Sequence, residues 1–94
     1  MKNYANEVRQ ILPVEKVELY GSYAKGNATK QSDVDVCFFL ASFGGEKWID
    51  IMVKLFDLSY KYRSFIEPMG FEVSDLYDDN PFVKEVLLTG IEIE

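Results

Sequence analysis

The sequence predicts an α/β (α+β) domain in which one sheet is layered against helices, and three observations carry that prediction. Val34–Leu40 reads VDVCFFL, a β-branched and aromatic run of strand character. Trp48, Met52, Leu55, Phe56 and Ser59 recur at the spacing of one helix face, just after the Gly44-Gly45 break. Asn80-Pro81 opens and Gly90 closes a further helical stretch, because Asn caps, Pro suits the first turn and Gly tolerates the turn past the end.

The remaining elements follow in chain order. Residues 2–12 place Tyr4, Val8, Ile11 and Leu12 on one helical face, and Pro13 stops the run. Glu15–Tyr20 alternates as a strand, with Val17 and Leu19 facing one way and Glu18 and Tyr20 the other. Gly21–Lys30 is small, polar and turn-forming, with one short helical turn expected around Ser22–Lys25. In the helix after Gly45, Ile49 and Val53 are expected to widen the buried stripe, and Trp48, Phe56 and the tyrosines read as core. Ser64–Ser74 alternates again, with Glu67, Met69, Phe71 and Val73 on one side, and Pro68 and Gly70 mark an edge or a bulge. Phe82, Val83, Val86 and Leu87 form the apolar face of the last helix, and Ile91–Glu94 alternates briefly. The order is α-β-turn-β-α-β-α with a possible short last strand, and 94 residues leave room for a single domain over 1–94.

Composition removes several classes of chemistry. There is no histidine, which excludes imidazole-based hydrolysis and histidine-ligated zinc. The single cysteine, Cys37, excludes an internal disulfide and a Cys-rich zinc site. The net charge of −6 repels a phosphate polymer, and no Lys/Arg run offsets it, so stable nucleic-acid binding is not expected. No apolar run approaches a membrane span and the N-terminus does not open a signal peptide, so the expected location is the cytoplasm.

The residues with chemistry in them are acids beside a turn. Asp33 and Asp35 stand two apart at the start of a strand and therefore project to one face. At about 5 Å and an effective dielectric near 20, two carboxylates repel by roughly 3 kcal/mol, a cost that a cation between them relieves. Oxygen-only ligands favour magnesium or manganese. The competing reading is that Asp33 merely caps a turn. Gly21-Ser22, directly after a strand, either supplies a turn and a cap or lets backbone N–H groups and the Ser22 hydroxyl hold a phosphate. Gly21 and Gly26 have the spacing of a Walker A loop, but Asn27-Ala28 stands where Lys-Ser/Thr is required, which rejects that motif. Cys37 shares the aspartates' face and is expected to pack there.

The combination GSYAKGNATKQSDVD, Gly-Ser and then Asp-x-Asp after ten residues with a strand on either side, resembles the signature of the DNA polymerase β-like nucleotidyltransferase superfamily. Within it the chain is most similar to the minimal nucleotidyltransferases, small prokaryotic proteins often paired with HEPN-domain toxins. GSYAKG matches their GS-x-A-[RK]-G form, SDVDVCFFL their catalytic strand, and FIEPMGFEVSDLYDDNPFVKEVLLTGIEI their tail. The resemblance covers nearly the whole chain and implies a small mixed sheet with helices packed on one face.

It also implies roles. Asp33 and Asp35 would bind two Mg2+ ions, with Mn2+ as the other option, that hold the triphosphate of ATP. A third acid on a later strand would orient or deprotonate the attacking hydroxyl. Period-two geometry favours Glu67 for that position over Glu72, which faces the other way. Relatives commonly carry the shorter Asp there. Gly21 and Ser22 match the residues that contact the β- and γ-phosphates, and Lys25 either reaches a phosphate as a point charge or is an exposed helix lysine. The implied reaction is transfer of AMP to a hydroxyl of a protein partner, a tyrosine of a cognate HEPN ribonuclease toxin, by its antitoxin. Two other readings stay open: an antitoxin that neutralises its partner by binding alone, and transfer to a small molecule.

Overall fold

The computed structural model describes residues 2–21, 26, 33–62 and 66–94. Its elements are α1 (Lys2–Ile11), β1 (Val14–Tyr20), β2 (Val34–Leu40), α2 (Trp48–Ser59), β3 (Ile66–Glu72), a 3₁₀ turn (Val73–Leu76), α3 (Pro81–Thr89) and β4 (Ile91–Glu92). The helix ends follow local chemistry. At α2, Asp50 accepts the Lys47 backbone N–H at 3.2 Å. At α3, Asn80 Oδ1 accepts the N–H groups of Phe82 at 2.9 Å and Val83 at 3.4 Å, with Pro81 in the first turn.

The four strands lie in the order β3-β2-β1-β4. β1 pairs antiparallel with β2, and β4 pairs antiparallel with β1. β2 and β3 run parallel, joined through α2, so the sheet is mixed as the sequence predicts. α2 returns the chain from the C-terminal end of β2 to the N-terminal end of β3 and so lies antiparallel to both.

Side-chain alternation along β2 divides the interior in two. Val34, Val36, Phe38 and Leu40 pack with Tyr4, Ala5 and Val8 of α1 and with Ile51, Met52 and Leu55 of α2. The Tyr4 hydroxyl, fully buried, donates to the Leu55 carbonyl at 2.7 Å and ties the two helices together. On the other side Cys37 and Phe39 pack with Val83 and Val86 of α3, with Tyr20, Met69, Phe71, Val73 and Leu76 around them. One detail of the expectation is thereby corrected: α1 and α2 share a face, whereas α3 covers the opposite one. The cause lies in β2 itself, which is apolar at nearly every position and needs cover on both sides.

A second correction concerns α2. Ile49 and Val53 do not widen the buried stripe but are 56% and 51% exposed, and Trp48 is half exposed. Among the described residues no helix is long and apolar enough to cross a membrane.

Candidate functional site

The turn of the chain between β1 and β2 determines where the acids meet. β1 ends at Tyr20, and Gly21 follows with φ +74°, a conformation that favours glycine. In the antiparallel register Tyr20 lies opposite Asp35, so Gly21 passes against that side chain. A Cβ on Gly21 would fall inside van der Waals contact of Asp35 Oδ2 and 3.2 Å from its Cγ. Position 21 therefore disfavours a side chain by its backbone conformation, and a Cβ there also requires the Asp35 carboxylate to move.

Asp33 precedes β2 and is exposed, while Asp35 is half-buried on the strand. Glu67 is the register partner of Asp35 on β3, and neighbouring strands are about 4.8 Å apart, so the two side chains project together from one face. The charges respond to this crowding. Burial, with the charge of Asp33 adding to it, lifts the Asp35 carboxyl above the usual carboxylate range, and a hydrogen bond from Glu67 partly opposes the rise. Glu67 is also raised, first by desolvation, then by Asp33 and Asp35 through their charge and through hydrogen bonds to its protonated form. Asp35 and Glu67 thus stand within hydrogen-bonding reach of each other.

Among the described residues no three acidic or cysteine side chains already form a metal cage. The donor set is nonetheless all carboxylate oxygen, the chemistry of Mg2+ and Mn2+, and such ions keep waters and take phosphate oxygens as further ligands. The carboxylate oxygens of Asp33, Asp35 and Glu67 are donors of the kind such a cation takes.

Neighbouring groups are assigned less active parts. Cys37, next along the face, is fully buried, and burial with the charge of Glu18 pushes its thiol up to about 12. It packs, as the sequence suggests. Glu72 lies at the far end of β3, opposite Leu40, and its Oε2 accepts the Phe43 backbone N–H at 3.1 Å. Lys61 is held by Glu7 at 2.6 Å. Ser22, Lys25 and Arg63 lie outside the described residues.

One side chain beside the acids was missed by the sequence reading. Tyr20, opposite Asp35, has its hydroxyl pushed well above the ordinary phenol value by burial, with Cys37, Asp35 and Glu67 adding to the effect. It stays a protonated donor next to the carboxylates, with its ring edge-on to Phe82 at 5.5 Å. Its position directly before Gly21 and on the Glu18 side of β1 was the available signal; its aromatic character alone reads as core.

Comparison with known proteins bears on the family and the fold. The family model for the nucleotidyltransferase domain matches residues 1–90. No curated protein matches the chain by sequence. A structure from Sulfolobus solfataricus, provisionally assigned as a nucleotidyltransferase, superposes with a TM-score of 0.71 at 21% identity and covers 97% of this chain and 73% of that one. A toxin–antitoxin structure with AMP-PNP superposes with a TM-score of 0.64 at 18% identity, covering 97% of this chain and 70% of that one. At these identities the likeness is one of fold.

Proposed function

Because the chain belongs to the nucleotidyltransferase domain family, we propose that it transfers AMP from ATP to a hydroxyl of a protein partner, a tyrosine of a cognate HEPN-type toxin, and so acts as a cytoplasmic antitoxin. The observation that carries the reading is the meeting of Asp35 and Glu67 in register on parallel strands, with Asp33 beside them. The toxin–antitoxin likeness supports the choice of a protein acceptor.

In this reading Asp33, Asp35 and Glu67 hold Mg2+. The metal when bound would neutralise triphosphate charge and stabilise the oxygens of an in-line displacement. The chain's own residues do the remaining work. Gly21 lets the backbone approach the phosphates where a side chain would collide with Asp35. The Ser22 hydroxyl and Lys25 are assigned to the β- and γ-phosphates on the strength of their place in the motif. Glu67, raised in affinity for a proton by its neighbours, takes the proton of the acceptor hydroxyl at its carboxylate. The new oxygen–phosphorus bond forms as the bond to pyrophosphate breaks.

The test is intact-mass analysis of the protein encoded beside this chain, co-expressed with the wild type and with Asp33→Asn/Asp35→Asn. Added AMP units on the partner, absent with the variant, are the expected result. An unmodified partner that co-purifies with both versions would favour an antitoxin acting by binding alone, a reading to which the longer Glu67 at the third acidic position lends support. Neither complex nor mass change would move the assignment to a small-molecule acceptor.

A further inference from the structure

Among the described residues the outer side of α2 is apolar and uncovered. Ile49, Val53 and Tyr60 are 56%, 51% and 78% exposed. With Trp48, Met52 and Phe56 they line a groove of about 360 Å3, and Asp57 stands at its margin. Asp50, seven residues before Asp57, falls on the same flank by the helical period.

Two features decide what kind of occupant this groove takes. The first is the adjoining edge of β3, which is closed to an added strand. Pro68 has no N–H, the Gly70 N–H points at Met52 Sδ at 3.3 Å, and the Gly70 carbonyl accepts the Trp48 indole N–H at 3.0 Å. A helix lying along α2, which is roughly 18 Å long, needs no backbone partners there. The second is charge. A two-fold antiparallel pairing of α2 helices would set the Asp50/Asp57 flank against its own copy.

The geometry points to the outer face of α2 as the docking site for an amphipathic helix of a partner protein, its apolar side in the groove and its Lys or Arg residues along the edge that meets Asp50 and Asp57. The inference deepens the reading of a protein acceptor and rests on it. α2 runs back toward the start of β3, so Tyr60 ends the groove at the end of the sheet where Asp35 and Glu67 lie, though on the opposite face, and a docked partner reaches the acids around that end.

Trp48 is the chain's single tryptophan and lies in the groove, so its emission reports occupancy. The probe is a synthetic amphipathic helix of about 15 residues with Leu on one side and Lys along one flank, compared with the same peptide carrying Glu at the Lys positions. The Lys peptide is expected to shift Trp48 emission to the blue saturably, and the Glu peptide to bind at least about tenfold more weakly. Ile49→Glu and Val53→Glu, both at exposed positions, abolish the shift with the melting temperature and ATP binding unchanged. Asp57→Lys reverses the preference between peptides. Equal binding of both peptides, no binding of the Lys peptide, or indifference to the Glu substitutions overturns the proposal. A dimer in sedimentation that Val53→Glu dissolves would overturn it in favour of a second copy. No variant touches Asp33, Asp35 or Glu67, so a chain that fails to transfer AMP but takes up the Lys peptide separates the failure of one reading from the other.

Discussion

Glu18 in β1 and Asp35 in β2 face the same side of the sheet, Glu18 opposite Cys37 and Asp35 two residues earlier, and burial raises both above the usual carboxylate range. Their surroundings differ. Glu18 is sealed in: its side chain is 6% exposed, Lys16 Nζ stands 3.7 Å away and reaches on to Glu92 at 2.7 Å, and a Cβ on Gly90 would come within 3.5 Å of Oε2. That oxygen has no hydrogen-bond partner among the described residues. Asp35 instead opens at the end of the sheet, and its charged neighbours, Asp33 and Glu67, are further acids. An acid beside a lysine under a helix end belongs to the scaffold. Acids beside acids at an open end are relieved by protons or by a cation from solution.

Removing the open cluster gives the largest effect expected from this contrast. Asp35→Asn should take AMP transfer below detection in an ATP-dependent labelling assay while the circular dichroism spectrum stays that of the wild type. Glu67→Gln should slow transfer by on the order of 10²–10⁴, the range of a lost general base. Retention of full activity would remove Glu67 from the site.

Gly21→Ala probes the join between turn and cluster. A positive φ and a collision with Asp35 both oppose the methyl group, so a loss of about 1–3 kcal/mol is expected. This corresponds to a melting temperature lower by at least about 4 °C in a domain of this size. A melting point equal to the wild type would show that Asp35 swings away without cost.

The pH dependence sharpens the comparison further. The folded-state values of Asp35 and Glu67 lie above their ordinary ones, so their charged forms cost stability at neutral pH. That cost is relieved as pH falls through the raised values. Without divalent cation, Glu67→Gln should therefore melt above the wild type at pH 7, with the gap closing by about pH 4, near the ordinary glutamate value. Mg2+ should raise the wild-type melting point and leave that of the variant nearly unmoved. A wild-type lead at pH 7 without cation would contradict the crowding on which the site rests.

The smallest effect belongs to the sealed acid. Glu18→Gln removes a charge that burial disfavours and leaves the carboxylate cluster intact, so the melting point at pH 7 should change by no more than a few degrees. Transfer and the response to Mg2+ should be unaltered, and melting curves with and without the ion check both.

The contrast between the two acids was only half legible in the sequence. That Asp33 and Asp35 share a face follows from a period of two, and the same period chose Glu67 over Glu72. Parallel register was needed to set Glu67 opposite Asp35 rather than a residue further along, and no local pattern specifies register between strands separated by a helix. The exposure of Ile49 and Val53 was hidden for a related reason: a wide apolar stripe on α2 does not say which part of its width the sheet covers. Likewise Phe82, Val83 and Val86 announce a helix with one apolar side, but not that it lies across the sheet from α1 and α2. Glu18 read as one outward member of an alternating strand, and its burial arises only once α3 and β4 close over it.

The lock on Gly70 also has a colloidal consequence. A mixed sheet of four strands has two rims, and each is a template on which other chains can polymerise. One rim is held shut by an indole, a thioether and a proline, while the other ends in a two-residue strand carrying Glu92. With both rims denied and a net charge of −6 keeping copies apart, the molecule can leave an oily helix face uncovered without seeding fibrils. Concentrated solutions should stay clear for as long as Trp48 keeps its hydrogen bond.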